Sequence, residues 1–294
     1  MKINAGERVF LAFDYLVMSM VLFICVYPLY YVAIYSLSDG NTAYGNVFFL
    51  PKDFTLNTYR GIFRSNDIVS ALFISVARTV SGTVISVLAN SFLAYLVSQA
   101  KFPWRKLTYR AIVVTMYFNA GLIPWYMLMM RLGLKNNFLL YILPGCCAAF
   151  YVILFKTFLE SVPSALEESA KLDGAGVLTI YARIICPVCK PILATIAVFT
   201  AINQWNAFMD GYLLVNKSGL YTLQMVLYSY LVDASRMSSG SAFIFTDAAA
   251  NQVKVLPLSI KMAITVIVTL PILLVYPFMQ RYIIKGMMLG AIKG

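Results

Sequence analysis

The stretch Ser161–Pro191, SVPSALEESAKLDGAGVLTIYARIICPVCKP, is the only long segment of this sequence that is polar enough to leave a membrane and patterned enough to fold. Ser164 and Glu167 have the spacing of a capping box, in which a hydroxyl and a carboxylate satisfy open backbone donors at a helix N-terminus. Asp173-Gly174 predicts the end of that helix, because glycine readily adopts the left-handed conformation found there. A second short helix is predicted at about Val177–Ile185. We therefore predict a helical hairpin outside the bilayer that serves as a docking surface.

The rest of the chain is strongly apolar. Of its 294 residues, 61% are hydrophobic and 12% are charged, whereas an average soluble domain has about 25% charged residues. The mean hydropathy is +0.79. Long apolar runs predict transmembrane helices rather than the alternating strands of a barrel. The fold class is therefore predicted as an all-α polytopic membrane protein, with residues 1–294 forming one transmembrane domain and the hairpin at about 161–190.

Six transmembrane spans are predicted, each near or above the roughly 20 residues that a helix needs to cross a bilayer. They cover residues 10–37, 69–98, 107–130, 138–158, 190–215 and 256–284. An even number of spans places both termini on one side. The short loop Lys101–Arg110 contains four cations and no acid, which indicates the cytoplasmic side. Both termini and the hairpin are therefore predicted to be cytoplasmic, with segments 38–68 and 216–255 outside.

Several classes of function are excluded by what the sequence lacks. It contains no histidine, which removes the most common metal ligand and general base. It has neither a nucleophile elbow nor a zinc-protease motif, and it has no G-x-x-x-x-G-K-[ST] loop for binding ATP. The net charge of +11 is not arranged as a basic stripe with interleaved aromatics, so nucleic acid is not a predicted partner. Any nucleotide that powers transport must therefore bind a partner protein, and the hairpin is the expected docking point.

Two cysteines in the hairpin region have the spacing of a redox pair. Cys186-Pro-Val-Cys189 matches the thioredoxin-type C-x-x-C pattern. No βαβ unit surrounds it, and it lies where the hairpin re-enters the membrane, so an apolar packing role is favoured.

Ionisable residues inside the predicted spans are few. Asp14 and Lys261 lie near span ends, whereas Arg78 lies about ten residues into the second predicted span. An intramembrane charge is a functional candidate by default, and Arg78 is expected either to pair with a helix-end carbonyl or to face a wet cavity. A stand-alone ion-coupled carrier or channel is therefore an alternative to a partner-driven transporter, and a membrane scaffold is a third hypothesis.

The hairpin also carries a family resemblance. Glu167-Glu168-Ser169-Ala170, Asp173-Gly174-Ala175, Ile184 and Pro187 resemble the EAA loop of ABC-importer permeases, E-(A/S)-A-x-x-D-G-A followed by I-x-x-P. Trp205-Asn206-x-Phe208 and the C-terminal tail from Tyr276 are similar to the carbohydrate permeases of the MalG-like, LplC-type branch. Ser169 and Cys186 depart from the family's commoner Ala and Leu.

This resemblance implies a permease subunit of an ATP-driven carbohydrate importer, with oligosaccharide as the expected substrate and no catalysis of its own. The implied partners are a second related permease, two ATPase subunits that bind ATP and Mg²⁺, an extracellular lipid-anchored sugar-binding protein, and membrane lipid. This chain is expected to bind no cofactor itself.

The same resemblance implies a set of residues that couple the hairpin to the ATPase. They are Glu167, Glu168, Ala170, Asp173, Gly174, Ala175, Ile184 and Pro187. Either Glu167 or Glu168 would meet a cation in the ATPase groove, and Gly174 would allow a tight turn and close approach. Helix capping is the simpler role of Glu167, and an ordinary turn role is the simpler one for Asp173.

Contacts with substrate are predicted at mid-membrane depth. Gln204, Trp205 and Asn206 supply an aromatic face and planar amides, which suit sugar hydroxyls. Asn119, flanked by Tyr117, lies in a predicted helix break, which a membrane tolerates only where the backbone is buried or lines a cavity. Hydrogen bonding between helices is an equally good account of these amides.

Overall fold

The computed structural model describes residues 5–39, 47–64, 66–237 and 257–291. The described residues form helices and no sheet, and their one extended pairing is an isolated antiparallel bridge between Ser38 and Phe54. The predicted all-α class is thus confirmed. In chain order the helices are α1 (Ala5–Ser36), α2 (Asn57–Arg64), α3 (Asn66–Ser98), α4 (Arg105–Thr115), α5 (Leu122–Arg131), α6 (Ala149–Leu159), α7 (Ala165–Leu172), α8 (Val177–Val188), α9 (Lys190–Asn206), α10 (Met209–Leu214), α11 (Leu223–Met237) and α12 (Pro257–Ala291), with 3-10 turns at Phe138–Tyr141 and Ser218–Leu220.

Three described helices are long and apolar enough to cross a membrane. These segments are Gly6–Ser36, Asp67–Ser98 and Leu258–Pro277, which belong to α1, α3 and α12. Helices α8 and α9 pass the same test as a pair, although they are bent by 84° at their junction. The chain is therefore a membrane protein, and the predicted first, second and sixth spans coincide with continuous helices.

The other predicted spans are interrupted. Span 107–130 is divided between α4 and α5 by a non-helical connection at 116–121, where a break was predicted. Span 138–158 contains a 3-10 turn followed by α6, and span 190–215 is divided into α9 and α10. The described residues do not form six uninterrupted membrane helices. The number of six spans therefore stays a prediction.

The chain divides into two compact units. The first comprises residues 1–66 and 227–270, and its small core joins Ile34, Tyr35 and Val47 with Leu258 and Met262. Within it, the most apolar stretch of α1 buries none of its residues, as expected of a helix that faces lipid or another protein. The short helix α2 also belongs to this unit. Residues 238–256, which include the C-terminal part of the predicted outer segment 216–255, lie outside the described residues.

The second unit, residues 67–226 and 271–294, is built around α3. Near the C-terminal end of α3, Tyr95 joins a core that includes Phe155 of α6, Ile180 of α8 and Ile192 of α9. Near its N-terminal end, Ile74 packs against a second core formed by Met129, Leu134, Leu140, Tyr141, Leu214 and Val215. At 1.5 Å per residue, Ile74 and Tyr95 are about 30 Å apart along the helix. The two cores therefore lie at opposite ends of α3.

A buried amide on α3 supports the irregular chain that precedes α6. Asn90 is fully buried, and its Nδ2 donates to the Cys146 carbonyl at 3.1 Å while its Oδ1 accepts from the Ala148 N–H at 2.8 Å. Backbone groups without such partners are costly in a bilayer, because no water is present to satisfy them. Asn90 thus makes the interruption before α6 compatible with a membrane.

Candidate functional site

The first helix of the hairpin ends where the sequence predicts. Helix α7 ends at Leu172, and Gly174 follows with a φ of 80°. The Ala175 N–H donates to the Ala170 carbonyl at 2.9 Å, and the Gly174 N–H donates to the Lys171 carbonyl at 3.1 Å. These two bonds form a Schellman motif, which satisfies the last carbonyls of a helix when the next residue is left-handed.

The predicted capping box does not form, so that prediction was wrong. Ser164 has helical angles, φ −63° and ψ −24°, and its side chain makes no capping hydrogen bond. Glu167 instead accepts a hydrogen bond from the Tyr95 hydroxyl at 3.2 Å and pairs with Lys171 at 3.0 Å. The Glu167 carboxylate therefore bonds to a phenol of α3 and to a cation one turn along α7 instead of to backbone donors at the helix N-terminus.

Glu167 and Glu168 therefore have different surroundings. The Glu167 side chain is 22% exposed and turned toward α3, whereas Glu168 is exposed. Asp173 and Leu172 are exposed beside Glu168, and Leu172 exposes 89% of its surface. Of the other predicted coupling residues, Ala170 is buried, Ala175 and Ile184 are half-buried, and Pro187 is exposed.

The second helix of the hairpin is longer than predicted and contains an irregular segment. Helix α8 includes a π-helical segment at Tyr181–Ile185 and continues to Val188. Pro187 and Pro191 lack the N–H that a regular helix requires, and the 84° bend to α9 falls between them. Cys186 and Cys189 are free thiols, and Cys189 is fully buried in the core, in agreement with the favoured packing role.

Side-chain hydrogen bonds connect the hairpin to the end of α3. Besides the Tyr95–Glu167 bond, the hydroxyls of Tyr181 and Ser91 lie 2.6 Å apart, and Lys171 Nζ donates to Gln99 Oε1 at 3.3 Å. Together with the shared core, these bonds join the hairpin to α3.

A buried polar site is centred on Arg78, near the other end of α3. The Arg78 guanidinium donates from Nη1 and Nη2 to the two carboxylate oxygens of Asp210 at 3.0 and 2.6 Å. Nη1 also donates to the carbonyl of Ala207, which caps α9, at 3.1 Å. Nε donates to Gln204 Oε1 at 3.0 Å, and the guanidinium lies over the Tyr141 ring at 4.5 Å.

This arrangement meets the first of the two expectations for Arg78, pairing with a helix-end carbonyl. The Arg78 and Asp210 side chains are only 4% and 17% exposed. A cation at the C-terminal end of α9 is favoured by the partial negative charge of the helix terminus. Removing one partner of a buried ion pair costs about 3–5 kcal/mol, because the other charge is left uncompensated.

Glycine provides the space for Gln204 in this site. A Cβ added to Gly82 would lie 2.8 Å from Gln204 Cδ, closer than real Cβ atoms approach. Gln204 is 8% exposed, and its Oε1 is held by Arg78. The absence of a side chain at position 82 therefore allows Gln204 to reach Arg78.

An open pocket of about 370 Å³ lies beside the ion pair. Its lining comprises Leu122, Trp125, Asn206, Ala207, Phe208, Met209 and Asp210. Asn206 is exposed, and its Oδ1 accepts from Gln224 Nε2 at 3.0 Å. The surface of the pocket is almost entirely apolar, and the rings of Trp125 and Phe208 belong to its lining. Both carboxylate oxygens of Asp210 are bonded to Arg78. Within the described ranges, no group of His, Cys, Asp or Glu side chains is arranged to hold a metal ion.

Of the predicted substrate residues, only Asn206 lines this pocket. Gln204 and Trp205 are buried beneath it. Tyr117 and Asn119 lie on the exposed connection between α4 and α5, where Asn119 Oδ1 accepts from the Gly121 N–H at 2.9 Å.

Asp210 belongs to this buried site but is not among the residues predicted from the sequence. It is an acid inside the predicted fifth span, residues 190–215, and a buried arginine such as Arg78 requires an acidic or carbonyl partner. The predicted spans contain two acidic residues, Asp14 and Asp210, so the sequence does carry a signal for this partner.

Comparisons with known proteins agree over nearly the whole chain. A family described as "Binding-protein-dependent transport system inner membrane component" matches residues 7–289. The polygalacturonan/rhamnogalacturonan transport system permease protein YtcP of Bacillus subtilis (strain 168) is 35% identical over 286 residues, which cover 96% of this chain and 98% of YtcP. Protein LplC of the same organism is 35% identical over 266 residues, or 90% of this chain and 88% of LplC.

A solved structure has the same fold. In the crystal structure of a bacterial ABC transporter involved in the import of the acidic polysaccharide alginate, one chain matches with a TM-score of 0.86 and 29% sequence identity. The match covers 96% of this chain and 99% of that chain.

Substitution of Gly82 tests the packing of the buried site. We expect Gly82→Ala to displace Gln204, weaken its bond to Arg78 and lower the stability of the purified protein by about 1–3 kcal/mol, as overpacking does. Thermal unfolding in detergent measures this loss. Gly61→Ala is the matched control, because Gly61 lies in helix α2 with nothing within 4 Å of an added Cβ. Equal unfolding midpoints for the two variants would contradict the tight packing at Gly82.

Proposed function

The chain belongs to the family of binding-protein-dependent transport system inner membrane components, so it is a permease subunit of an ATP-driven carbohydrate importer, and we propose that its substrate is an oligosaccharide. The family match over residues 7–289 carries this conclusion. The similarity to YtcP, named as a permease for polygalacturonan and rhamnogalacturonan, supports a sugar polymer or its fragments as the substrate.

The rival functions are less well supported. An ion-coupled carrier needs an intramembrane group whose charge is released and restored during transport. Arg78 and Asp210 instead satisfy one another in a bidentate pair. A scaffold without a transport role has no use for an open pocket at Asn206. The family and these two features favour the ATP-driven importer.

The hairpin is proposed as the docking surface for the ATPase. Its exposed tip presents Glu168, Leu172 and Asp173, whereas Ala170 and Ile180 hold it to the core. An exposed carboxylate is available to a cation in an ATPase groove, and Glu167 already has partners within this chain. We therefore assign the contact with the ATPase to Glu168 and a supporting role to Glu167.

The complete importer is proposed to contain this chain, a second related permease and two ATPase subunits that bind ATP and Mg²⁺. An extracellular lipid-anchored binding protein would deliver the sugar. The cationic loop Lys101–Arg110 supports a cytoplasmic location for both termini and for the hairpin. The chain is proposed to have six spans, two or more of them interrupted. The apolar and unburied surface of α1 supports contact with lipid or with the second permease.

The sugar route is proposed to pass the pocket beside α10. Trp125 and Phe208 offer apolar ring faces to a pyranose, and Asn206 offers an amide to its hydroxyls. Asn119 and Tyr117 stay candidates for a second contact region on the exposed connection between α4 and α5.

Transport by the reconstituted importer tests the function. We expect vesicles that contain the purified complex, its binding protein and ATP to accumulate labelled oligosaccharide fragments of galacturonan, alginate or a neutral glycan. Vesicles that contain this chain alone should accumulate none, because it has no ATP site. Uptake by the chain alone, without ATP, would instead support the ion-coupled carrier.

Neutralising each hairpin glutamate separately tests their assigned roles. We expect Glu168→Gln to weaken co-purification of the ATPase while leaving thermal unfolding of the permease unchanged. Glu167→Gln should leave co-purification of the ATPase unchanged. It should lower permease stability by about 0.5–2 kcal/mol, because it weakens charged hydrogen bonds to Tyr95 and Lys171. The assignment fails if Glu167→Gln, rather than Glu168→Gln, releases the ATPase from an otherwise stable permease.

Two glycines of the turn provide a matched pair of substitutions. Gly174 has a φ of 80°, which a β-branched residue rarely adopts, whereas Gly176 has a φ of −72°, which is open to any residue. Neither glycine has an atom within 4 Å of an added Cβ. We expect Gly174→Val to abolish uptake and release the ATPase, and Gly176→Val to keep most uptake. Equal uptake by both variants would show that the conformation at Gly174 is not needed for docking.

A further inference from the structure

Helices α3 and α9 are fastened to one another at both ends. At one end, Tyr95 of α3 and Ile192 of α9 belong to the same buried core. At the other end, Arg78 of α3 donates to Gln204 Oε1 of α9 and to the carbonyl of Ala207. Because residue numbers rise along α3 as they fall along α9, the two helices are antiparallel. We call this antiparallel pair, α3 with α9, the two-helix strut. It connects the hairpin to the pocket beside Asp210.

One end of this strut holds the hairpin. Tyr95 donates to Glu167, and Ser91 is hydrogen-bonded to Tyr181 of α8. Both bonds link α3 to parts of the hairpin that lie next to its exposed tip. A movement of the tip therefore reaches α3 through bonded side chains and the shared core.

The other end of the strut holds the pocket. Ala207 and Asp210 contact the Arg78 guanidinium and also line the pocket. At 1.5 Å per residue, Arg78 and Tyr95 are about 26 Å apart along α3. The ion pair thus lies far from the hairpin while remaining on the same helix.

The alternative route from hairpin to pocket is less rigid. It passes along α8, which contains the π-helical segment Tyr181–Ile185, and then through the 84° bend into α9. Helix α3 is continuous from Asn66 to Ser98 and contains no proline. Beyond α9 the chain is extended at Ala207 before α10 begins, so nothing in the local backbone makes α10 follow α9.

Resting on the importer function proposed above, we propose that Arg78 and Asp210 are positioning residues that make the pocket follow the hairpin. The bidentate ion pair locks α10 to α3, and the bonds to Gln204 and Ala207 lock the end of α9 to the same point. Closure of the ATPases moves the hairpin and the strut together, and the pocket lining moves with them. Without the ion pair, the hairpin and α3 still move, but α10 stays linked to α3 through apolar packing, in which Ile74 of α3 shares a core with Leu214 of α10. The pocket lining then follows α3 less closely.

A positioning role and a merely structural role have different consequences. If the ion pair only stabilised the fold, its loss would lower the amount of active complex, and uptake and ATP hydrolysis would fall in the same proportion. If the ion pair transmits motion, ATP hydrolysis continues while uptake falls. The number of sugars imported per ATP hydrolysed distinguishes the two roles, because this ratio does not depend on the amount of complex.

The experiment uses the whole importer in vesicles with its binding protein. Asp210→Asn keeps the shape of the side chain and removes its charge, and Arg78→Lys keeps the charge and removes the planar fork. In both variants we expect the ratio of sugar imported to ATP hydrolysed to fall about fivefold or more, a typical size for coupling between sites. ATP hydrolysis stimulated by the binding protein should stay near the wild-type rate.

Glu160→Gln is the control. It removes the ion pair of Glu160 with Lys156, in which the Glu160 side chain is 50% exposed, and exposed pairs contribute little. We expect this variant to keep the wild-type ratio.

Two results would overturn the proposal. The first is an unchanged ratio in both Asp210→Asn and Arg78→Lys, whether uptake and hydrolysis stay at the wild-type rate or fall in proportion. The second is the absence of both variants from the membrane while Glu160→Gln is present. The last result would mean that the pair serves folding alone. Lack of ATP-dependent uptake by the wild-type complex is a different failure, because it contradicts the proposed function itself and the coupling role with it.

Discussion

Every interruption of a membrane helix leaves backbone groups that must find partners inside the protein, and the second unit of this structure depends on how those partners are supplied. Water cannot satisfy such groups in the hydrocarbon core of a bilayer. Asn90 bonds the chain before α6 at Cys146 and Ala148, and Arg78 bonds the Ala207 carbonyl where α9 ends. Both residues come from α3, which is continuous. One regular helix therefore carries the polar side chains that make its broken neighbours possible.

The same helix bonds to both the hairpin and the lining of the pocket. Its C-terminal end bonds to the hairpin through Tyr95 and Ser91, and its N-terminal part bonds to the pocket lining through Arg78. Binding to a partner protein requires an exposed surface, and Glu168 and Leu172 provide one at the tip of the hairpin. Enclosing a polar substrate requires side chains held within the bundle. Because α3 bonds to both places, the exposed tip of the hairpin and the pocket are far apart and still joined by one continuous helix.

Much of the hairpin was predictable because its determinants are local. The Asp173-Gly174 pair predicts the end of a helix, because the ability of glycine to adopt a positive φ belongs to the residue itself. The role of Glu167 was not predictable, because Ser164 and Glu167 fit a capping box by spacing, yet Tyr95 competes for the same carboxylate from 72 positions away. Arg78 was recognised as unusual from its place in a span, whereas its partner Asp210 lies 132 positions further along the chain.

The sequence by itself determined that this is a helical membrane protein with a polar hairpin, and its motif identified the family. Hydropathy, glycine position and motif spacing are properties of neighbouring residues, so they can be read without a structure. Only the tertiary structure decided which glutamate points outward, which amide lines a pocket, and how Arg78 is neutralised. Those outcomes depend on which distant side chains meet at the ends of α3, and burial makes each such meeting obligatory because an unpaired charge is too costly there.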